Sequence, residues 1–189
     1  MKRVFIIHGW SGTPEEGWLP WLGKELEKEG CAVSIPAMPE ADNPRIEAWV
    51  DYLSELVGKP DENTYFVGHS IGCQTILRYL ETIDIKVGGA VFVAGWFNLE
   101  NLEDDETRGT AKPWIENPLS LQKVQQLLPF STLIISDNDW YGAFEENKEK
   151  FAELGSKIVV MHNAGHITQS DGYYELPEAL RELEQIFKQ

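Results

Sequence analysis

Cysteine, basic side chains and long apolar runs are all scarce in this chain. Its 189 residues hold two cysteines, Cys31 and Cys73. Two thiols do not make the disulfide framework of a small secreted fold, so a reduced, cytoplasmic location is the expectation. Lysine and arginine total 16 against 31 aspartates and glutamates, a formal net charge of −15. Binding along a phosphate backbone needs a basic face, and anionic membranes recruit basic segments. Neither nucleic acid nor membrane is therefore an expected partner. The N-terminal apolar run stops after Val4, Phe5, Ile6 and Ile7, too short for a signal-peptide core. No stretch approaches the roughly 20 apolar residues of a membrane span. Cofactor signatures are missing too: there is no G-x-G-x-x-G, no G-x-x-x-x-G-K-[ST] and no H-E-x-x-H, so neither a nucleotide cofactor nor a metal is expected.

What remains has the makeup of a globular domain. Hydrophobic residues make up 42% and charged residues 25%. The length suits one domain, 1–189, at roughly 150 residues per domain. Short β-branched runs at 3–8, 31–35, 64–68, 89–94, 131–136 and 157–161 predict strands. Their near-continuous apolar character fits strands buried on both faces of a parallel sheet. Between them, amphipathic periodicity predicts helices at 14–29, 44–57, 71–82, 118–128, 142–154 and 176–188. Thr13-Pro14-Glu15-Glu16, Asn43-Pro44 and Asn117-Pro118 read as helix starts, and Gly30 and Gly155 as stops. This alternation implies an α/β fold with a doubly wound, mostly parallel sheet of about six strands and no large cap. The segment 96–117 reads as irregular. Its run Glu100, Glu103, Asp104, Asp105 and Glu106 suggests a solvated loop, or else a small lid over the active face.

Gly68-His69-Ser70-Ile71-Gly72 is the strongest chemical signal. It follows a predicted strand and opens a predicted helix, the context of a G-x-S-x-G nucleophile elbow. The serine sits on a sharp turn, and the flanking glycines remove side chains that would strike the neighbouring strand and helix. A serine nucleophile needs a base, and the base an orienting acid, in chain order Ser, Asp, His. Asp137 and Asp139 follow one predicted strand end; His162 and His166 follow the next. His166, in a loop after Ala-Gly, is favoured as base. If the acid segment stays extended, Asp137 and Asp139 face opposite sides and only one can reach the imidazole. His8-Gly9-Trp10 ends the first strand, where such folds supply an oxyanion donor, so the backbone N–H groups of Ile71 and Trp10 are the candidates. Cys73 reads as a buried structural thiol. Trp10, Trp96 and Trp140 each follow a predicted strand end. They could wall an apolar pocket, with His69 inside the elbow as a further lining candidate.

Several of these stretches together resemble a known family. YFVGHSIGCQTILRYLE, VFIIHGW, WLPWLGKELE, AMPEADNPRIEAWVDYL, SDNDWYG and NAGHI span nearly the whole chain. They are similar to the small α/β-hydrolase-fold serine hydrolases of the retinoblastoma-binding protein 9 and YdeN family. The resemblance implies Ser70 as nucleophile, His166 as base and Asp139 as acid. The sequence departs just after that acid, where Trp140-Tyr141-Gly142 replaces the turn many members carry. The expected activity is cleavage of a small-molecule ester, amide or peptide through an acyl-serine without a cofactor, and an acidic chain with no obvious exposed apolar stripe is expected to be a monomer. A non-catalytic protein-binding module on the same fold, or an acyltransferase using the same serine, are the alternatives.

Overall fold

A computed structural model describes every residue except Glu103. Six parallel strands form one sheet: β1 (Arg3–Ile7), β2 (Ala32–Ser34), β3 (Thr64–His69), β4 (Gly89–Val93), β5 (Ser131–Ser136) and β6 (Lys157–Met161). Their spatial order is β2-β1-β3-β4-β5-β6. The intervening helices are α1 (Leu19–Lys28), α2 (Ile46–Val57), α3 (Ile71–Thr82), α4 (Asp105–Glu116), α5 (Leu121–Leu127), α6 (Phe144–Glu153) and α7 (Pro177–Ile186). A single 3₁₀ turn, Gln169–Asp171, precedes α7.

Strand alternation sorts the core into two layers. Phe5, Ile7, Phe66, Phe92, Leu133 and Ile135 pack with α2, α3, Trp114 of α4, Val124 of α5 and Phe151 of α6. Val4, Ile6, Val67, Val91, Val93 and Ile134 pack on the other face with α1 and α7. Both faces of the central strands are therefore dry, which is why these runs read as continuously apolar. The edge strand β6 has no fully buried residue.

Several element boundaries differ from expectation. No helix begins at Thr13-Pro14. The chain turns through Gly17 at φ +54°, and α1 starts only at Leu19. The Gly17 N–H donates to Gln169 Oε1 at 3.1 Å, so a tertiary contact holds this turn against its local capping preference. Asn43-Pro44 and Asn117-Pro118 also lie outside the helices they were expected to open. Arg45 is the N-cap of α2. Ser120 caps α5, its side chain accepting from the Lys123 N–H. α1 and α6 stop just before Gly30 and Gly155, as read from the sequence.

The segment 96–117 departs further: most of it is helix α4. Asp104, Asp105 and Glu106 form a helix start. The Asp104 carboxylate accepts from the Thr107 N–H at 2.7 Å, and Asp105 and Glu106 occupy the first turn, where negative charge offsets the exposed amide dipoles. Gly109 and Pro113, both inside the helix, hide this signal in the sequence. Glu103 of the same acidic run lies outside the described residues.

Candidate active site

The Ser70 backbone sits at φ 53°, ψ −120° between β3 and α3, a region that costs a non-glycine residue on the order of 1–3 kcal/mol. Close approach on both sides enforces the bend. A Cβ on Gly68 would lie 2.7 Å from the Cys73 nitrogen, and one on Gly72 2.4 Å from the Ile7 carbonyl oxygen. The elbow therefore tolerates neither side chain. The Ser70 N–H donates to the Val93 carbonyl at 2.9 Å, fixing the turn against β4. Ile71 opens α3, so its N–H lacks an intrahelical acceptor. The Trp96 indole N–H donates to Ser70 Oγ at 3.3 Å.

Both acid–base alternatives are paired. His166 Nδ1 lies 2.7 Å from Asp139 Oδ2, with side chains 15% and 4% exposed. His162 Nδ1 meets Asp137 Oδ2 with side chains 77% and 33% exposed. The Asp137 carboxyl is held below its usual range first by the Asn163 N–H and then by His162. β5 ends at Ser136, so a turn, not an extended strand, separates the two acids. Cross-links tie the two loops together. The Gly165 N–H donates to Asn138 Oδ1 at 2.9 Å and the Ala164 N–H to Ser136 Oγ at 3.0 Å.

A cavity of about 510 Å³ collects the candidates at the C-terminal strand ends. Gly9, Trp10, His69, Ser70, Trp96 and His166 all line it. Leu102, Glu106, Thr107 and Thr110 form a wall from α4 and its approach. His8 stands behind the rim, 1% exposed. The Met38 N–H donates to its Nε2 at 3.0 Å, leaving Nδ1–H to donate to the Gly9 carbonyl at 2.8 Å. Burial lowers its pKa, so a neutral imidazole braces the loop carrying Trp10. Cys73 is fully buried, and burial pushes its thiol pKa up. An inert thiol follows.

A serine hydrolase family model matches residues 4–185. The chain belongs to the serine hydrolase family. It is 32% identical to the Bacillus subtilis protein YdeN over 181 residues, covering 93% of this chain and 91% of that one. It is 25% identical to the rat serine hydrolase RBBP9 over 184 residues, 96% of this chain and 95% of the relative. The crystal structure of the B. subtilis ydeN product superimposes with a TM-score of 0.92 at 30% identity, covering 100% of both chains. The family and the α/β-hydrolase fold match the resemblance read from the motifs.

Within this hydrolase, the expected aromatic wall needs one correction. Trp10 and Trp96 line the cavity, but Trp140 does not. Its side chain is 64% exposed, and its carbonyl accepts from Asn101 Nδ2 at 2.8 Å. Tyr141 takes the place instead, lining the cavity with its ring edge-on to His166 at 5.5 Å between centroids. The Tyr141 N–H also donates to Asp139 Oδ1 at 3.0 Å. The Trp140-Tyr141-Gly142 turn thus holds the buried carboxylate. Sequence reasoning also missed Asn147, wholly buried on α6. Its Oδ1 accepts from the N–H groups of Phe97 and Asn98 at 2.7 and 2.9 Å, fixing the loop that carries Trp96. One polar residue among Glu145, Glu146, Lys148, Glu149 and Lys150 of the same helix carries no sequence signal of such a role. Among the described residues, no helix is long and apolar enough to cross a membrane.

Proposed function

We propose that residues 1–189 form one catalytic domain that hydrolyses a carboxylic ester or amide through an acyl-Ser70 intermediate. The supporting observation is the buried His166–Asp139 pair, whose imidazole lines the same cavity as a serine held on a strained elbow. Ser70 Oγ attacks the carbonyl carbon as His166 Nε2 takes the hydroxyl proton. Asp139 holds Nδ1–H, fixing the tautomer that leaves Nε2 free to act as base, and stabilises the imidazolium. The N–H groups of Ile71 and Trp10 receive the oxyanion, each donor worth about 2.7–4 kcal/mol. Collapse expels the alcohol or amine, which takes the proton from His166. Water, deprotonated by His166, then attacks the acyl carbon and releases acid and free Ser70. No metal or cofactor enters these steps.

The rim charge favours some substrates over others. Glu16, Asp42 and Glu106 line the cavity, and no Lys or Arg does so among the described residues. Neutral or cationic substrates are therefore expected to enter faster than anionic ones.

A fluorophosphonate probe tests this reading. Covalent labelling of the wild type that is lost in Ser70→Ala is expected. Absence of labelling, or labelling unchanged in Ser70→Ala, would overturn it. Product analysis with and without an alcohol acceptor separates hydrolysis from acyl transfer.

A further inference from the structure

The loop that carries His166 is strained, and two side chains from elsewhere in the fold grip it. Asn163, Gly165 and Ile167 all have positive φ, at +55°, +60° and +56°. Glycine adopts this region freely and asparagine tolerates it, but a β-branched side chain there is a genuine outlier. Ile167 is nevertheless fully buried, packed among the residues of the α1/α7 face. Successive carbonyls of the strained stretch each receive a side-chain donor. His69 Nε2 lies 2.9 Å from the His166 carbonyl oxygen. The Trp18 indole N–H donates to the Ile167 carbonyl at 3.0 Å.

The donors themselves are linked. Trp18 stands edge-on to the His69 ring at 5.9 Å, and His69 edge-on to the His166 ring at 5.1 Å. A carbonyl oxygen only accepts, so His69 carries its hydrogen on Nε2. Burial first, and then the neighbouring His166, lower its pKa to about 4. His69 thus remains a neutral donor while His166 gains and loses a proton. It is also the residue directly before Ser70, so one rigid corner fixes both halves of the reacting pair.

We propose that Trp18 and His69 are positioning residues for His166. Their indole and imidazole N–H groups hold the strained His166–Ile167 backbone in the conformation that presents the base to Ser70. The inference rests on His166 being the base. A misplacement of about 1 Å in such a group costs roughly 100-fold in rate, so a clamp on its backbone acts on turnover more than on substrate affinity.

The test combines steady-state kinetics on a neutral ester with hydrogen exchange of amides 164–168. Trp18→Phe keeps an aromatic ring, though a smaller one, and deletes the donor. His69→Leu deletes the other donor, and His69→Gln retains one. Trp18→Phe and His69→Leu are each expected to lower kcat by about 10- to 100-fold, with KM within about threefold. Exchange over 164–168 should rise while β3 and α3 stay protected. His69→Gln should recover most of the kcat lost in His69→Leu. Wild-type kcat in both donor deletions would overturn the proposal, as would lost kcat without faster loop exchange. Should Trp18→Phe fail to fold, the comparison of His69→Leu with His69→Gln carries the test. Ser70→Ala is run alongside: if it keeps activity, the catalytic reading fails, while the exchange data still decide whether the clamp exists.

Discussion

Two His–Asp pairs with the same chemistry sit on neighbouring loops of this molecule. In His166–Asp139 the side chains are 15% and 4% exposed; in His162–Asp137 they are 77% and 33% exposed. The buried pair lines the cavity with Ser70 through its imidazole; the exposed pair does not line it. A His–Asp contact by itself is therefore no mark of a catalytic site. On the proposed reading, burial is what gives one such a role, because a desolvated carboxylate orients an imidazole in low dielectric, whereas an exposed one is screened by water and salt.

The largest expected effect comes from deleting each histidine in turn. His166→Ala should lower kcat by about 10⁴- to 10⁶-fold, while His162→Ala should leave kcat/KM within about twofold of wild type. Comparable losses in both would erase the distinction. The acids should divide the same way. Asp139→Asn should cost about 10⁴-fold in kcat through the wrong imidazole tautomer, and Asp137→Asn almost nothing, both measured with one ester at saturating concentration.

How far the sequence carried this distinction depends on how local each feature is. The elbow is a five-residue motif whose strand and helix lie directly beside it, so Ser70 and its two glycines were legible. The sheet was legible because both faces of its central strands are dry. The motifs pointed to Asp139 only through family resemblance. The residues themselves left Asp137 open, since choosing between them depends on how the one turn after β5 folds. Trp18 and Gly17 were read as part of a capped helix because the contacts that pull them out of it come from residues about 150 positions later. Tyr141 and Trp140 are adjacent and both aromatic, and only the turn after Asp139 decides which one faces the cavity.

Acid sharpens the comparison at a smaller scale. The burial that shelters His166 also holds its neighbour His69 neutral, with a pKa of about 4 against about 6.5 for a free imidazole. Between those values the unfolded chain binds a proton that the folded one refuses. The contribution is therefore fully present above about pH 6.5 and is lost as pH falls towards 4. It amounts to a few kcal/mol. Urea melts across this range should show a shallower acid loss in His69→Gln than in wild type; parallel curves would count against it. His162→Gln is expected to change little, because its pair is open to solvent.

The smallest effect concerns the rim. With Glu16, Asp42 and Glu106 lining the mouth, a neutral ester should be turned over faster than a matched anionic one at low salt. The gap should close as ionic strength rises and the Debye length shrinks to about 8–10 Å. Equal kcat/KM at low salt would remove the electrostatic preference.

The most direct measurement is the rate at which a fluorophosphonate labels Ser70 in wild type, His162→Ala and His166→Ala, followed by intact mass at pH 7.5. The expected result is a wild-type rate in His162→Ala and a rate lower by several orders of magnitude in His166→Ala, with the adduct mapped to Ser70. Equal labelling of the two variants, or an adduct on another residue, would contradict the assignment of the buried pair as the machinery that activates Ser70.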